Sequence, residues 1–211
     1  RALGVDVERV AVIPDVIDTI AAEVRSQRAA FDHVFTSGGV GPPHDDVTLD
    51  GVAKAFGVDL VLNEALAARI ERAQGSRPNE SQLKMAKIPA GAMLVDAGDL
   101  WLPVVIVKNV HVFPGIPGLL QKKFESVKER FRGIPFKLRR VYLSRRESEI
   151  AEVLNRVLAE VPEVLMGSYP RTGREDVFVM VTLESRDDAY LQRSLDVLLE
   201  RLPEGSIQRV E

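Results

Sequence analysis

The stretch Thr36-Ser37-Gly38-Gly39-Val40-Gly41-Pro42-Pro43-His44-Asp45-Asp46-Val47-Thr48 combines two kinds of chemistry. Its glycines let the backbone approach a phosphate closely, and successive N–H groups there can cradle the anion. Asp45 and Asp46 follow at once and supply hard oxygen ligands, suited to a divalent ion that bridges to phosphate oxygens. Cradle and acidic pair together point to metal-assisted chemistry on a phosphoanhydride. The stretch is neither a P-loop, since GxxxxGK[ST] is absent, nor a GxGxxG dinucleotide fingerprint. Spacing alone leaves a plainer alternative open, in which the glycines only turn the chain and Asp45 or Asp46 caps the next helix. His44 is open in the same way, to service as acid, base or ligand or to simple turn polarity.

The elements around this stretch decide whether it can act. Phe31–Thr36 reads as a strand, and Leu49, Val52, Ala53 and Phe56 have the i, i+3, i+4, i+7 spacing of a helix. Ligands in open α/β sheets bind at that edge, where strands end and helices begin. Val7–Ile13 reads as an earlier strand that stops at Pro14-Asp15, before a helix with Val16, Ile20 and Val24 on one face. Asn63–Ala73 is helical and closed by Gly75. Val104–Phe113 reads as one aliphatic strand ending at Pro114-Gly115-Ile116-Pro117-Gly118, ahead of a helix to Arg132. If the strands are parallel, Asp15 and the Pro114–Gly118 loop emerge beside the glycines. Asp15 could equally cap its own helix, and the Pro-Gly loop could be an ordinary strand-to-helix turn.

The alternation implies an α/β domain over residues 1–133, with a mostly parallel sheet flanked by helices. The pattern changes after Gly133-Ile134-Pro135. Strand-like Phe136–Leu143 precedes Ser144-Arg145-Arg146-Glu147, a capping-box signature that opens a helix striped by Ile150, Val153, Leu154, Val157 and Leu158. Two strands, Val164–Tyr169 and Val177–Leu183, a Leu191/Leu195/Leu198 helix and a closing strand Ser206–Val210 complete β-α-β-β-α-β. That is the ferredoxin-like order, here assigned to residues 134–211.

Composition narrows the function classes. The 211 residues are 45% hydrophobic and 28% charged, the balance of a globular protein. With no cysteine, thiolate nucleophiles, disulfide scaffolds and zinc ribbons are excluded. The three histidines are far apart, against a multi-His metal centre. A net charge of −3 argues against nucleic acid as the partner, and no aliphatic run approaches a membrane span. The basic stretch Lys122–Arg140 reads as a solvated helix and linker. His111 reads as a core residue, Trp101 as a packing residue or a base-stacking one, and Arg171, Arg174 and Asp176 as a solvated turn. The chain opens at Arg1 with no methionine and little lead-in to its first strand, so a missing N-terminal piece is expected.

Ile13-Pro14-Asp15, the Gly38–Thr48 stretch and the Pro114–Gly118 loop resemble the molybdopterin-binding fold shared by molybdopterin adenylyltransferases and the amino-terminal half of CinA-type proteins. Ser81-Gln82-Leu83-Lys84-Met85-Ala86-Lys87-Ile88-Pro89, Val110–Pro117 and Gly167-Ser168-Tyr169-Pro170 look like the branch found in FAD synthases. The acidic Gly-Asp-Glu segment that opens the family's domain is absent here. The resemblance implies either of two chemistries. One is divalent-metal-dependent cleavage of a dinucleotide pyrophosphate such as FAD or ADP-ribose, releasing AMP. The other is molybdopterin binding or adenylylation, with a non-catalytic ligand-binding or assembly module as a third outcome. The second domain, which the short molybdopterin enzymes lack, favours the pyrophosphatase. In that reading Asp46 and Asp15 are catalytic, and Asp45 with Asp46 holds Mg²⁺, Mn²⁺ or Co²⁺. Ser37, Gly38, Gly39, Val40, Gly41, Thr48, Lys84, Pro114, Gly115 and Pro117 line the phosphate and ligand site. The implied partner is a nucleotide or pterin phosphate, in a cytoplasmic, self-associating protein without nucleic-acid or membrane partners.

Overall fold

Two short strands fix the geometry of the first unit. The computed structural model describes residues 2–98, 100–171 and 177–211, with Trp101 described by its backbone alone. Arg174 and Asp176 therefore lie outside the described residues. Contacts divide the chain into one unit of residues 8–130 and another of residues 131–211 together with residues 1–7.

In the unit of residues 8–130, α1 (Ile17–Ala30) leads into β1 (Val34–Ser37) and α2 (Thr48–Phe56). Next come β2 (Leu60–Leu62), α3 (Glu64–Gln74), α4 (Glu80–Lys84), β3 (Lys87–Pro89), β4 (Met93–Ala97), β5 (Leu100–Val107), β6 (Val110–Phe113) and α5 (Pro117–Val127). The main sheet has the order β1-β6-β5-β4, and β2 and β3 form a separate antiparallel pair. β1 runs parallel to β6 with Ser37 opposite Phe113, whereas β6–β5 and β5–β4 are antiparallel. The sheet is thus mixed, with its one parallel pairing among the described residues lying between the strands that carry the two glycine loops.

Two strand assignments change. Val104–Phe113 is not one strand but the hairpin β5–β6, folded at Lys108-Asn109 with Lys108 at φ 55°. Continuous apolar patterning hid this turn, because both arms are buried and read alike. Asn109 fixes the turn, its Nδ2 donating to the carbonyls of Arg28 (3.0 Å) and Phe31 (2.9 Å) at the end of α1. Val7–Ile13 pairs with no strand among the described residues, and Val10 and Val12 are 79% and 96% exposed. β-Branched residues favour an extended backbone, but a strand needs a neighbour to complete its ladder. Arg9 holds the segment by an ion pair to Glu23 of α1 at 2.9 Å.

The sheet separates two packed faces. On one, Val110 and Val112 of β6 meet Ile20, Leu49, Val52, Leu66 and Ile70 from α1, α2 and α3. α1 and α2 approach so closely that a side chain on Gly51 would strike Ile20. On the other face, Phe35 stacks on His111 with ring centroids 5.2 Å apart, and Phe113 meets Phe124 of α5 at 6.3 Å. His111 is buried, and its pKa falls to about 4 because burial disfavours the imidazolium, helped by the charges on His33 and Arg130.

In the second unit, β7 (Lys137–Leu143), α6 (Glu147–Glu160), β8 (Leu165–Pro170), β9 (Val179–Ser185), α7 (Asp188–Arg201) and β10 (Ile207–Val210) follow in turn. The antiparallel order β10-β7-β9-β8 with two helices is the ferredoxin-like topology. Its core joins Val141, Leu143, Val181 and Leu183 of the sheet to Ile150, Val157, Leu191 and Leu198 of the helices. The expected box at Ser144 does not form: α6 starts after Arg146, whose N–H donates to the Glu149 side chain at 2.8 Å while the Glu149 N–H donates to the Arg146 carbonyl at 3.0 Å. Residues 1–7 are tied in by Gly133 N–H donating to the Leu3 carbonyl (2.8 Å) and by Arg186 reaching the Gly4 carbonyl (3.0 Å). No helix among the described residues is long and apolar enough to cross a membrane.

Two measurements check this description. Asn109→Ala should lower stability in a urea titration by about 1–2 kcal/mol, because two carbonyls lose their donor. A depressed histidine pKa means that the unfolded chain binds the proton first. Stability should therefore fall as pH drops from about 6.5 towards about 4, and His111→Phe should flatten that slope.

Candidate functional site

The parallel register of β1 and β6 brings both strands out at the same edge. Gly38 N–H donates to the Phe113 carbonyl at 3.1 Å, so the first glycine of one loop is bonded to the last residue before the other. The loops then cross at van der Waals range, since a Cβ on Gly115 would lie 3.1 Å from Gly38 Cα. Gly39 has φ +65°, a left-handed conformation, and a Cβ there would strike the Thr48 side chain and lie 3.3 Å from Asp15 Oδ1. Asp15, Gly38–Gly39, Thr48 and Gly115 are thus one cluster.

Thr48 organises the loop from the first residue of α2. Its hydroxyl donates to the Gly38 carbonyl and its amide to the Gly39 carbonyl, both at 2.9 Å. With these carbonyls drawn towards α2, the N–H groups of Gly39 and Val40 have no acceptor among the described residues. Gly41 N–H donates to Asp46 Oδ2, and Asp46 N–H to the Pro43 carbonyl at 3.3 Å, closing the turn through Pro42 and Pro43. Lys84 reaches across from the end of α4 and donates to the Pro43 carbonyl at 2.6 Å. α4 can present it because a reciprocal Asn79–Gln82 capping box anchors that short helix, with bonds of 2.8 and 2.9 Å.

The capping alternatives for the aspartates do not hold. α1 is preceded by Val16 and α2 by Val47, and neither helix has a side-chain cap. α5, preceded by Ile116 with Pro117 at its start, has none either. By contrast Asn63, Asn79 and Asp187 cap α3, α4 and α7 with their side chains. The three helices that begin at the clustered loops therefore keep their N-terminal donors and dipoles without a side-chain partner.

Other expected residues lie differently. Ser37 is exposed at the end of β1, Asp45 and His44 are exposed in the turn, and Pro117 is the exposed first residue of α5. Pro114 is buried. Lys84 meets a carbonyl of the turn in this structure. Among the described residues no three His, Asp or Glu side chains converge as a ready-made metal cage.

Sequence reading missed Lys123. It is only 5% exposed and its Nζ donates to the Pro103 carbonyl at 2.8 Å. Burial lowers its pKa to about 8. The signal was present: Lys123 and Val127 stand four apart on the buried stripe of α5, where a lysine is out of place.

A glycine turn and the uncapped starts of three helices meet at one sheet edge, the place where α/β domains bind small ligands. Comparison with known proteins identifies which. A family described as the probable molybdopterin binding domain matches residues 1–133, and the FAD synthase middle domain matches residues 135–211. The chain belongs to the molybdopterin-binding domain family. An Archaeoglobus fulgidus protein is 34% identical over 94% of this chain and 84% of its own length. A probable FAD synthase of Caenorhabditis briggsae is 28% identical over 97% of this chain, which spans 44% of that longer protein. A crystal structure of the protein CinA of unknown function from Thermoplasma acidophilum superposes with a TM-score of 0.51 at 30% identity, covering 56% of this chain and 72% of that one.

The close approach at Gly39 is measurable. Gly91, at φ +79° with open space around it, gives the reference: Gly91→Ala should cost about 1 kcal/mol from backbone conformation alone. Gly39→Ala should cost at least about 1 kcal/mol more in the same denaturation assay, because its methyl also displaces Thr48.

Proposed function

We propose that the glycine turn binds the diphosphate of a dinucleotide such as FAD or ADP-ribose, and that the protein hydrolyses it with a divalent metal to release AMP. One observation carries this reading. The starts of α1, α2 and α5, none with a side-chain cap, belong to the loops that cluster at Asp15, Gly39 and Gly115. Such a place suits an anion, since helix dipoles and the N–H groups of Gly39 and Val40 both attract negative charge. The FAD synthase relatives and the match to their middle domain favour a flavin dinucleotide among such anions.

In this mechanism the N–H groups of Gly39 and Val40 bind the phosphoryl oxygens and offset the charge that develops there. Thr48 holds the turn so that those donors stay exposed. Asp15 and Asp46 are the carboxylates at the turn; Asp46 already uses one oxygen on Gly41 and keeps the other. That donor set fits a hard cation held by one or two carboxylates together with substrate oxygens and water, and not a preformed cage. When bound, Mg²⁺, Mn²⁺ or Co²⁺ would polarise a phosphoryl oxygen and ease deprotonation of water. Lys84 steadies the turn through Pro43.

A second reading rests on the family match over residues 1–133: the same cradle would take the phosphate of a pterin, for binding or adenylylation.

Incubation with FAD or ADP-ribose and each of the three metals, followed by chromatography for AMP, tests the first reading. Asp46→Asn and Asp15→Asn should each lower kcat/KM by about 10²-fold or more. Absence of AMP with every metal would overturn the hydrolase, and AMP transfer from ATP to a pterin would establish the second reading instead. Calorimetry should show weak metal binding by the protein alone and tighter binding once a non-hydrolysed diphosphate is present.

A further inference from the structure

Beside the glycine turn lies a cleft that the proposed chemistry does not use. Val40 from the glycine turn and Pro114 from the Pro-Gly loop form part of its wall, with Leu49, Met85 and Val105 around them and Lys123 as the one charged residue among the described lining residues. The cleft has a volume of about 40 Å³ and is partly open, room for a small group such as the edge of a ring. We propose that this cleft receives the carbonyl-bearing edge of a fused heteroaromatic ring, with Lys123 Nζ as its hydrogen-bond donor, so that Lys123 selects lactam rings such as flavins and pterins over adenine.

A buried lysine in an apolar wall has donors to satisfy. An ammonium carries three donors and no acceptor. Lys123 gives one to the Pro103 carbonyl at 2.8 Å, and the remaining lining side chains of the cleft are apolar. Among the described residues no carboxylate lines the cleft to balance the charge. Burial already weakens the hold on the proton, yet with a pKa of about 8 the amine is still mostly protonated at neutral pH. A methionine would fill the same volume without this desolvation, so the lysine costs stability that packing alone does not explain.

Ring chemistry then decides the occupant. Flavins and pterins carry carbonyl oxygens on a flat ring, an acceptor for the ammonium with faces suited to the aliphatic walls. Adenine has no carbonyl, and its acceptors N1 and N7 each sit beside the exocyclic amino donor, which opposes Lys123 there. A site built around a hydrogen bond discriminates against a ligand that makes it less well. Because Val40 and Pro114 belong to both the cleft wall and the loops of the cradle, a ring seated here lies next to a phosphate on the turn. The placement rests on the diphosphate reading above, but the ring selectivity can be measured without phosphate.

Riboflavin and a phosphate-free pterin serve as ring probes, with adenosine as the control and pyrophosphate as the probe of the turn. At pH 7 the native protein should quench flavin and pterin fluorescence on binding and show at least tenfold weaker affinity for adenosine. Lys123→Met should lose about tenfold or more in affinity for both lactam rings. Its pyrophosphate affinity should not change, and its melting temperature should be equal or higher. Equal affinity of native and Lys123→Met protein for both rings would overturn the proposal, as would adenosine binding as tightly as riboflavin. Failure to bind pyrophosphate would instead overturn the diphosphate reading and leave a Lys123-dependent ring affinity standing. If Lys123→Met proves unstable, protection of the native Lys123 amine from acetylation by saturating riboflavin, read by mass spectrometry, decides the same question: protection supports the proposal, and unchanged labelling overturns it.

Discussion

The parallel pairing of β1 with β6 is the constraint on which the site depends. Four residues on each strand stand in register from Val34 opposite Val110 to Ser37 opposite Phe113, so both strands end together. Gly38 can then bond to Phe113, and Gly115 can cross Gly38 with no side chain between them. A slip of one residue would exchange the two faces of β1, setting Phe35 against α1 and α2. Register, core and loop crossing therefore stand or fall together. The hairpin turn contributes at a distance, because Asn109 ties the start of β6 to the end of α1 while Val34 N–H donates to the Asn109 carbonyl at 2.9 Å.

Much of this was legible in local patterns, and the failures have identifiable causes. The helical period of Leu49, Val52 and Phe56 foretold α2, and the stripes of Ile150–Val157 and Leu191–Leu198 foretold α6 and α7, because one face of each helix is buried. The β5–β6 hairpin escaped notice because its turn is only Lys108-Asn109, without glycine, between two buried arms. Val7–Ile13 misled because side-chain preference reports what a backbone favours and not whether a partner strand exists.

The site divides along the same line. The glycines and aspartates were visible as residue types, but whether Asp15 and Asp46 were caps depended on backbone angles that spacing does not encode. Val16 and Val47 occupy the cap positions, which releases Asp46 to close the glycine turn and leaves Asp15 beside Gly39. Lys123 was visible only as a contradiction, a charged residue on an apolar stripe, and only the fold shows that the stripe borders a cleft.

The balance of charge at the turn explains why the proposed chemistry pairs a cradle with carboxylates. Each helix start carries about half a positive charge, so three together offset roughly one and a half. A dinucleotide diphosphate would bring about two negative charges to a place where Asp15 and Asp46 already contribute two. On the proposed reading the backbone alone is then too weak an attractor, and the same aspartates that repel the substrate recruit the cation that joins it to the protein. Metal and diphosphate would each bind poorly without the other. Such coupling suits a hydrolase, because the carboxylates stay poised without a cation and the charge is neutralised only where the bond is to break.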